Sequence, residues 1–241
     1  MQKIEIKKLS FSYPNGKGVL SNIQFQASGT ESIGLIGANG VGKSTLLKLL
    51  VGLNLEYSGE ILINGIRVEK NTLPEIREKT GYVFQDSDSQ LFLSTIYEDV
   101  AFAPRNYGLS PKEVEERVNA ALQAVHIEDI KNKPIYKLSG GQKKLASIAT
   151  ILSMKPELIL LDEPSVALDP KNRRNLIHIL NELDVLKIIA SHDLDFIYDT
   201  CERTILLADG KIVKEGKTEE ILLNKELLEQ NGLELPLSFS R

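Results

Sequence analysis

The residues Gly37-Ala38-Asn39-Gly40-Val41-Gly42-Lys43-Ser44 follow the pattern G-x-x-x-x-G-K-[ST] in full. Glycines at these spacings let the backbone curl so that its N–H groups face phosphate oxygens. A helix starting at Ser44 would add its positive end. Lys43 supplies a point charge for β- and γ-phosphates, and the Ser44 hydroxyl is a ligand for Mg²⁺. The plainer alternative is a glycine-rich turn followed by a chance Lys-Ser. It fits poorly, because an apolar strand-like run, Ser32–Ile36, precedes the loop and a helical run to about Val51 follows it.

Two acids close a second apolar run, Leu158-Ile159-Leu160-Leu161-Asp162-Glu163-Pro164. In parallel sheets, ligands sit at the carboxyl ends of the strands. Asp162 is therefore a candidate to hold Mg²⁺ or its water, and Glu163 to orient and polarise an attacking water. Alone, the pair would read as two solvated acids. A third motif, Leu138-Ser139-Gly140-Gly141-Gln142, is a good helix start, with Ser139 as N-cap and Gln142 completing a capping box. The same feature presents glycine N–H groups to an anion. Gln85 follows the strand-like Gly81–Phe84, and His192 directly follows the apolar run Lys187–Ser191. Each would sit on the sheet edge expected to carry the ligand, although a lone Gln or His at a strand end is usually structural.

The elements that must position these groups alternate strand and helix, which implies a mainly parallel sheet with crossover helices. Ile4-Glu5-Ile6 and Phe11-Ser12-Tyr13 alternate as half-exposed strands, and Pro14-Asn15-Gly16 reads as a turn. Gly59–Gly65 is a strand running into a turn. Ser110-Pro111-Lys112-Glu113 is a capping box with proline at the first helical position. Behind it, Val114, Val118, Ala121, Leu122 and Val125 form an apolar stripe. Asp169-Pro170 begins another helix. The expected fold is α/β: a P-loop NTPase core with a mainly parallel sheet, an N-terminal antiparallel β subdomain and a helical subdomain. A single domain over 1–241 is predicted, with helical residues inserted at about 97–155 and a short helical tail at about 217–241.

The 241 residues carry 42% apolar side chains, enough for a proper core, and a net charge of −4, which argues against broad nucleic-acid binding. A single cysteine, Cys201, excludes an internal disulfide. The N-terminal residues do not read as a signal peptide. The most apolar stretch, Leu46–Leu55, is interrupted by Lys48 and Asn54 and falls short of the roughly 18 residues of a membrane span. Any service to a membrane would run through a partner.

In this order the motifs resemble the nucleotide-binding subunits of ABC transporters, from about Ile4 to Gly216. The resemblance implies ATP and Mg²⁺ as ligands, with Asn39, Gly40, Val41, Gly42, Lys43, Ser44 and Thr45 around the phosphates. It implies Tyr13 stacked on adenine, unless Tyr13 is a core aromatic. Ser44, Gln85 and Asp162 would surround the metal. Gln85 would sense both the metal and a membrane partner, and His192 would contact the γ-phosphate. Lys43, Gln85, Glu163 and His192 form the implied catalytic set. Ser165-Val166-Ala167-Leu168-Asp169 resembles the loop that couples two subunits. In the family two subunits face head to tail, so that Ser139, Gly140, Gly141 and Gln142 of one chain serve the nucleotide held by the other. That arrangement would explain why one chain offers two phosphate-binding helix starts, and either a homodimer or a heterodimer satisfies it.

Phe84-Gln85-Asp86-Ser87-Asp88-Ser89-Gln90-Leu91-Phe92, continued by Glu98–Pro104, is similar to the corresponding loop of energy-coupling-factor importers of vitamins or transition-metal ions. Those subunits commonly read Gln-Asn-Pro-Asp where this chain has Gln-Asp-Ser-Asp. The likeness implies a transmembrane coupling subunit, a substrate-binding membrane subunit and a peripheral location on the cytoplasmic face of the membrane. Asp86 and Asp88 would suit a groove for Arg-bearing coupling helices; the alternative is a solvated polar loop. The competing class is a soluble ABC ATPase acting on nucleic acid or the ribosome, which tends to show tandem domains, long coiled-coil insertions or basic tracts, and none is visible. A GTPase should show N-K-x-D, and Asn132-Lys133-Pro134-Ile135 lacks the acid.

Overall fold

The computed structural model describes residues 3–14, 16, 18–166 and 168–239. The chain opens with β1 (Lys3–Ser12), β2 (Gly18–Ser28) and β3 (Ser32–Ile36), then α1 (Lys43–Leu50). Next come β4 (Tyr57–Ile63), β5 (Ile66–Arg67), α2 (Leu73–Lys79) and β6 (Thr80–Val83). A helical stretch holds α3 (Ile96–Asn106), α4 (Pro111–Ala124) and α5 (Gly140–Leu152). The sequence then returns to alternation with β7 (Leu158–Asp162), α6 (Pro170–Glu182), β8 (Leu186–Ala190), α7 (Leu194–Thr200), β9 (Arg203–Ala208) and β10 (Lys211–Lys217). Two short helices, α8 (Thr218–Leu222) and α9 (Lys225–Gln230), complete it.

Two sheets form. One is four-stranded and antiparallel, in the order β2-β1-β4-β5; the other is six-stranded, in the order β10-β9-β3-β8-β7-β6. The second is parallel from β9 to β6, with β10 turning back antiparallel on β9. Its central strands are buried on both faces, which is why β3, β7 and β8 read as continuous apolar runs. Alternate residues divide between two cores. Leu158 and Leu160 join the cluster formed with the antiparallel sheet and α1, whereas Ile159 and Leu161 join the cluster formed with the helical stretch.

The two strand-like runs at Ile4–Ile6 and Phe11–Tyr13 are one strand with irregular register, and it ends at Ser12, so Tyr13 lies just beyond it. The Pro14–Gly16 turn closes with Gly16 N–H donating to the Tyr13 carbonyl at 3.0 Å; Asn15 falls outside the described residues. The phosphate-loop helix starts at Lys43, one residue ahead of the expected start. Ser110 and Glu113 make the reciprocal capping box of α4, and the predicted stripe Val114, Val118, Ala121, Leu122 and Val125 is buried throughout. Register sets the ligand edge. Leu35 of β3 pairs with Ala190 of β8, which pairs with Asp162 of β7, while Val83 of β6 pairs with Leu161. The residues that follow these strands therefore emerge side by side.

Candidate nucleotide site

Gly37 and Gly42 show why the loop after β3 needs glycine. Gly37 has φ +149, and a Cβ there would lie 2.2 Å from the Leu207 carbonyl oxygen. Gly42 has φ +111, and its Cβ would press into Val19 and Leu20 at 2.8–3.3 Å. Gly42 is also the N-cap of α1 and supplies no side-chain cap, which leaves the first-turn N–H groups for a ligand. Lys43 is 7% exposed and donates to the Gly37 and Ala38 carbonyls at 2.7 and 3.2 Å. Burial pulls its ammonium below the usual lysine range, against the opposing pull of Glu163 and Asp162.

Asp162 ends β7 almost fully buried, and both of its oxygens have partners. Ser44 Oγ donates to Oδ1 at 2.8 Å and the Tyr82 hydroxyl donates to Oδ2 at 3.2 Å. Burial, and then the Asp162 carboxylate, push the Tyr82 phenol far up, so it remains a donor. Glu163 is the next residue, at φ +48, in the left-handed region. Its N–H donates to the Ala190 carbonyl at 2.8 Å. Its Oε2 accepts from Ser191 Oγ and His192 N–H at 3.2 Å, and stands 2.8 Å from His192 Nδ1. A carboxylate only accepts, so the hydrogen of this contact lies on His192 Nδ1.

A cavity of about 540 Å³ brings these groups together; its wall includes Tyr13, Asn39, Gly40, Gly42, Lys43, Ser44, Thr45, Gln85, Glu163 and His192. Tyr13 is 41% exposed, which removes the core-aromatic alternative; buried Phe11 fills that place and meets the Tyr13 ring edge-on. The Tyr13 hydroxyl is 3.3 Å from Thr45 Oγ1. Gly37, Ala38 and Val41 of the loop lie outside this wall; the Val41 side chain packs toward the core and borders a neighbouring cavity. A larger cavity, about 810 Å³, lies under residues 233–239, but it shares only His192 with this set and has no phosphate loop.

Ser139, Gly140, Gly141 and Gln142 are not in the cavity wall. They form the start of α5. Ser139 Oγ accepts from Gln142 N–H at 3.3 Å, Ser139 N–H donates to Gln142 Oε1 at 3.2 Å, and Lys133 Nζ reaches the same oxygen at 3.2 Å. Of the linking loop at 165–169, Asp169 caps α6 by accepting from Asn172 N–H at 2.9 Å; Ala167 lies outside the described residues.

Asp86 and Asp88 are both exposed and also bonded within the chain. Asp86 accepts from Asp88 N–H at 3.0 Å and Ser89 Oγ at 2.9 Å, capping the turn at Ser87–Ser89. Those bonds, the backbone one foremost, hold its carboxyl below the usual range. Asp88 is ion-paired to Lys143. The acids are engaged within the chain because the loop must fold on α5. The adjoining groove, about 350 Å³, is instead aromatic, with Phe92 (63% exposed), Phe102 (41%) and Tyr107 (42%) on its wall.

Two positioning groups escaped the sequence reading. Tyr82 counted only as a strand residue. Lys144, 3% exposed on α5, donates to the Phe84 and Gln85 carbonyls at 3.0 and 2.8 Å. Neither carries a local signal, since their partners are 80 and 59 residues away.

The family described as ABC transporter matches residues 20–166, more than half of the chain. This chain belongs to the ABC transporter family. As an ABC ATPase, it is 43% identical over 241 residues to the energy-coupling factor transporter ATP-binding protein EcfA of Methanocaldococcus jannaschii, covering 98% of this chain and 86% of that protein. The structure of cbiO1 from Clostridium perfringens, described as part of the ABC transporter complex cbiONQ, superposes with a TM-score of 0.84 at 35% identity, covering 94% of this chain and 93% of that one. A dimeric ATP-binding cassette in a post-hydrolysis state bound to ADP and Pi gives 0.82 at 28% identity, covering 89% and 98%. The chain is thus an ATP-binding subunit of ABC type, most like the energy-coupling-factor group. No described helix is long and apolar enough to cross a membrane.

Proposed function

We propose that this chain is the ATPase of an energy-coupling-factor importer, working as one half of a dimer on the cytoplasmic face of the membrane. The observation that carries this reading is a division within the chain. The phosphate loop, Glu163 and His192 share one cavity, with Asp162 bonded to Ser44 of that loop, while the second anion-binding helix start, at Ser139–Gln142, lies outside its wall. A second subunit facing the first would bring that helix start to the nucleotide, and the dimeric cassette with ADP and Pi supports such an arrangement.

In this reading Lys43 leaves the Gly37 and Ala38 carbonyls for the β- and γ-phosphates, whose charge restores its proton affinity. Tyr13 stacks on adenine beside Thr45. Ser44 Oγ and Asp162 Oδ1, hard oxygen donors 2.8 Å apart, fit Mg²⁺, with Gln85 at the cavity edge. Bound there, Mg²⁺ supplies charge neutralisation at the phosphate oxygens. Glu163 orients and polarises the attacking water, and His192, held by Glu163 through Nδ1, faces the γ-phosphate side of the cavity. The aromatic groove at Phe92, Phe102 and Tyr107 takes a helix of the transmembrane coupling subunit, which would meet a substrate-binding membrane subunit.

The test is Glu163→Gln. With ATP and Mg²⁺ the variant should elute as a stable dimer, with turnover lowered at least about 10²-fold. Rapid hydrolysis by a variant that still binds ATP overturns the role given to Glu163.

A further inference from the structure

Tyr82 lies on β6 opposite Leu160 of β7, two positions before Asp162, and its ring belongs to the same core cluster as Leu160. Side chains two apart on a strand share a face, about 6.6 Å apart along it. A tyrosine is long enough to cross that gap, and its hydroxyl reaches Asp162 Oδ2 at 3.2 Å. Ser44 Oγ holds the other oxygen, Oδ1, at 2.8 Å. The ring is itself fixed, edge-on to Phe84 at 4.7 Å and 9% exposed. Tyr82 also lines the groove whose wall includes Gln90 and Phe102. A phenylalanine would fill the same space, so the hydroxyl is the part that packing does not require.

We propose that Tyr82 is a positioning residue for the divalent cation: its hydroxyl fixes the Asp162 carboxylate so that Oδ1 stays turned to Ser44. This rests on the reading of Asp162 as a metal-site residue. A carboxylate at the end of a strand can rotate about its last torsion, and each ligand orientation the cation must select lowers its affinity. A donor outside the coordination sphere removes that freedom. Tyr82 therefore acts on the cation and not on the nucleotide alone.

The experiment compares Tyr82→Phe, Asp162→Asn and the unmodified chain. Mn²⁺ is titrated with protein in excess over AMP-PNP, and free Mn²⁺ is read by electron paramagnetic resonance. AMP-PNP affinity is then measured in EDTA, with thermal melting of the apo protein as control. Tyr82→Phe should weaken Mn²⁺ binding about tenfold, a typical effect of losing an outer-sphere partner, with unchanged AMP-PNP affinity in EDTA and a single melting transition lowered by only a few degrees, for the bond to Asp162 Oδ2 that it removes. Mn²⁺ binding that is unaltered or tighter in Tyr82→Phe, while Asp162→Asn loses it, overturns the role of Tyr82 alone. Equal loss of AMP-PNP affinity in EDTA also overturns it, by showing a general structural role. If Asp162→Asn binds Mn²⁺ as the unmodified chain does, the reading of Asp162 fails and this inference fails with it.

Discussion

His192 Nδ1 lies 2.8 Å from Glu163 Oε2, and the same oxygen accepts the His192 main-chain N–H at 3.2 Å. Ser191 Oγ makes a third bond to it, so one carboxylate oxygen gathers the whole turn after β8. Glu163 meets this turn from the left-handed region, at φ +48, which costs about 1 kcal/mol or more and requires the surrounding bonds to hold it. The strain and the bonds together fix a carboxylate and an imidazole as a pair facing the phosphate loop.

If the pair acts as a unit, its deletions do not add. His192→Ala should lower kcat about 10²-fold. Glu163→Gln should lower it further, and the double variant should be no slower than Glu163→Gln. Steady-state phosphate release by the three proteins checks this; multiplicative losses would falsify the pairing.

The proposed composite site predicts complementation. Lys43→Ala and Ser139→Arg chains should each be inactive by themselves. For a homodimer, mixing equal amounts should restore about a quarter of the normal rate, since half of the dimers then hold one intact site. ATPase assays across mixing ratios give the answer, and a mixture as inactive as its parents argues against shared sites.

Lys144 joins α5 to the segment carrying Gln85, with help from Gln90, whose amide donates to the Ser147 carbonyl and Thr150 Oγ1 at 2.8 Å. Lys144→Met should lower kcat more than it raises KM, and Lys144→Arg should recover most of the loss. Stability gives a separate check. Burial lowers the Lys144 ammonium below its unfolded range, so the unfolded chain binds the extra proton. The stability of the unmodified protein relative to Lys144→Met should therefore rise as pH climbs from the lowered value toward about 10.4, the free lysine value. Urea unfolding of both proteins at several pH values measures the difference.

In the proposed coupling, the groove would hold the membrane partner by aromatic packing. Phe92 and Phe102 meet edge to face at 5.0 Å and are both exposed. Phe92→Ser with Phe102→Ser should weaken copurification of the membrane subunit at least about tenfold, as expected when aromatic anchors are lost. Asp88→Ala removes only an ion pair with Lys143 and should change copurification by less than about threefold. The reverse order would return the acids to the role their sequence suggested.

Gly37–Ser44, Asp162-Glu163 and Ser139–Gln142 were legible in the sequence because their chemistry is local. Glycine at positive φ, a cap reaching three residues ahead and an acid ending an apolar strand are all written within a few positions. The same holds for the capping box of α4. What the chain order could not supply was adjacency across the sheet. The order β9-β3-β8-β7-β6 sets Tyr82 against Asp162, and the packing of α5 on the loop after β6 sets Lys144 under Gln85 and turns Asp88 to Lys143. Those contacts depend on which distant strands and helices share a layer, and no residue's own neighbours along the chain encode that choice.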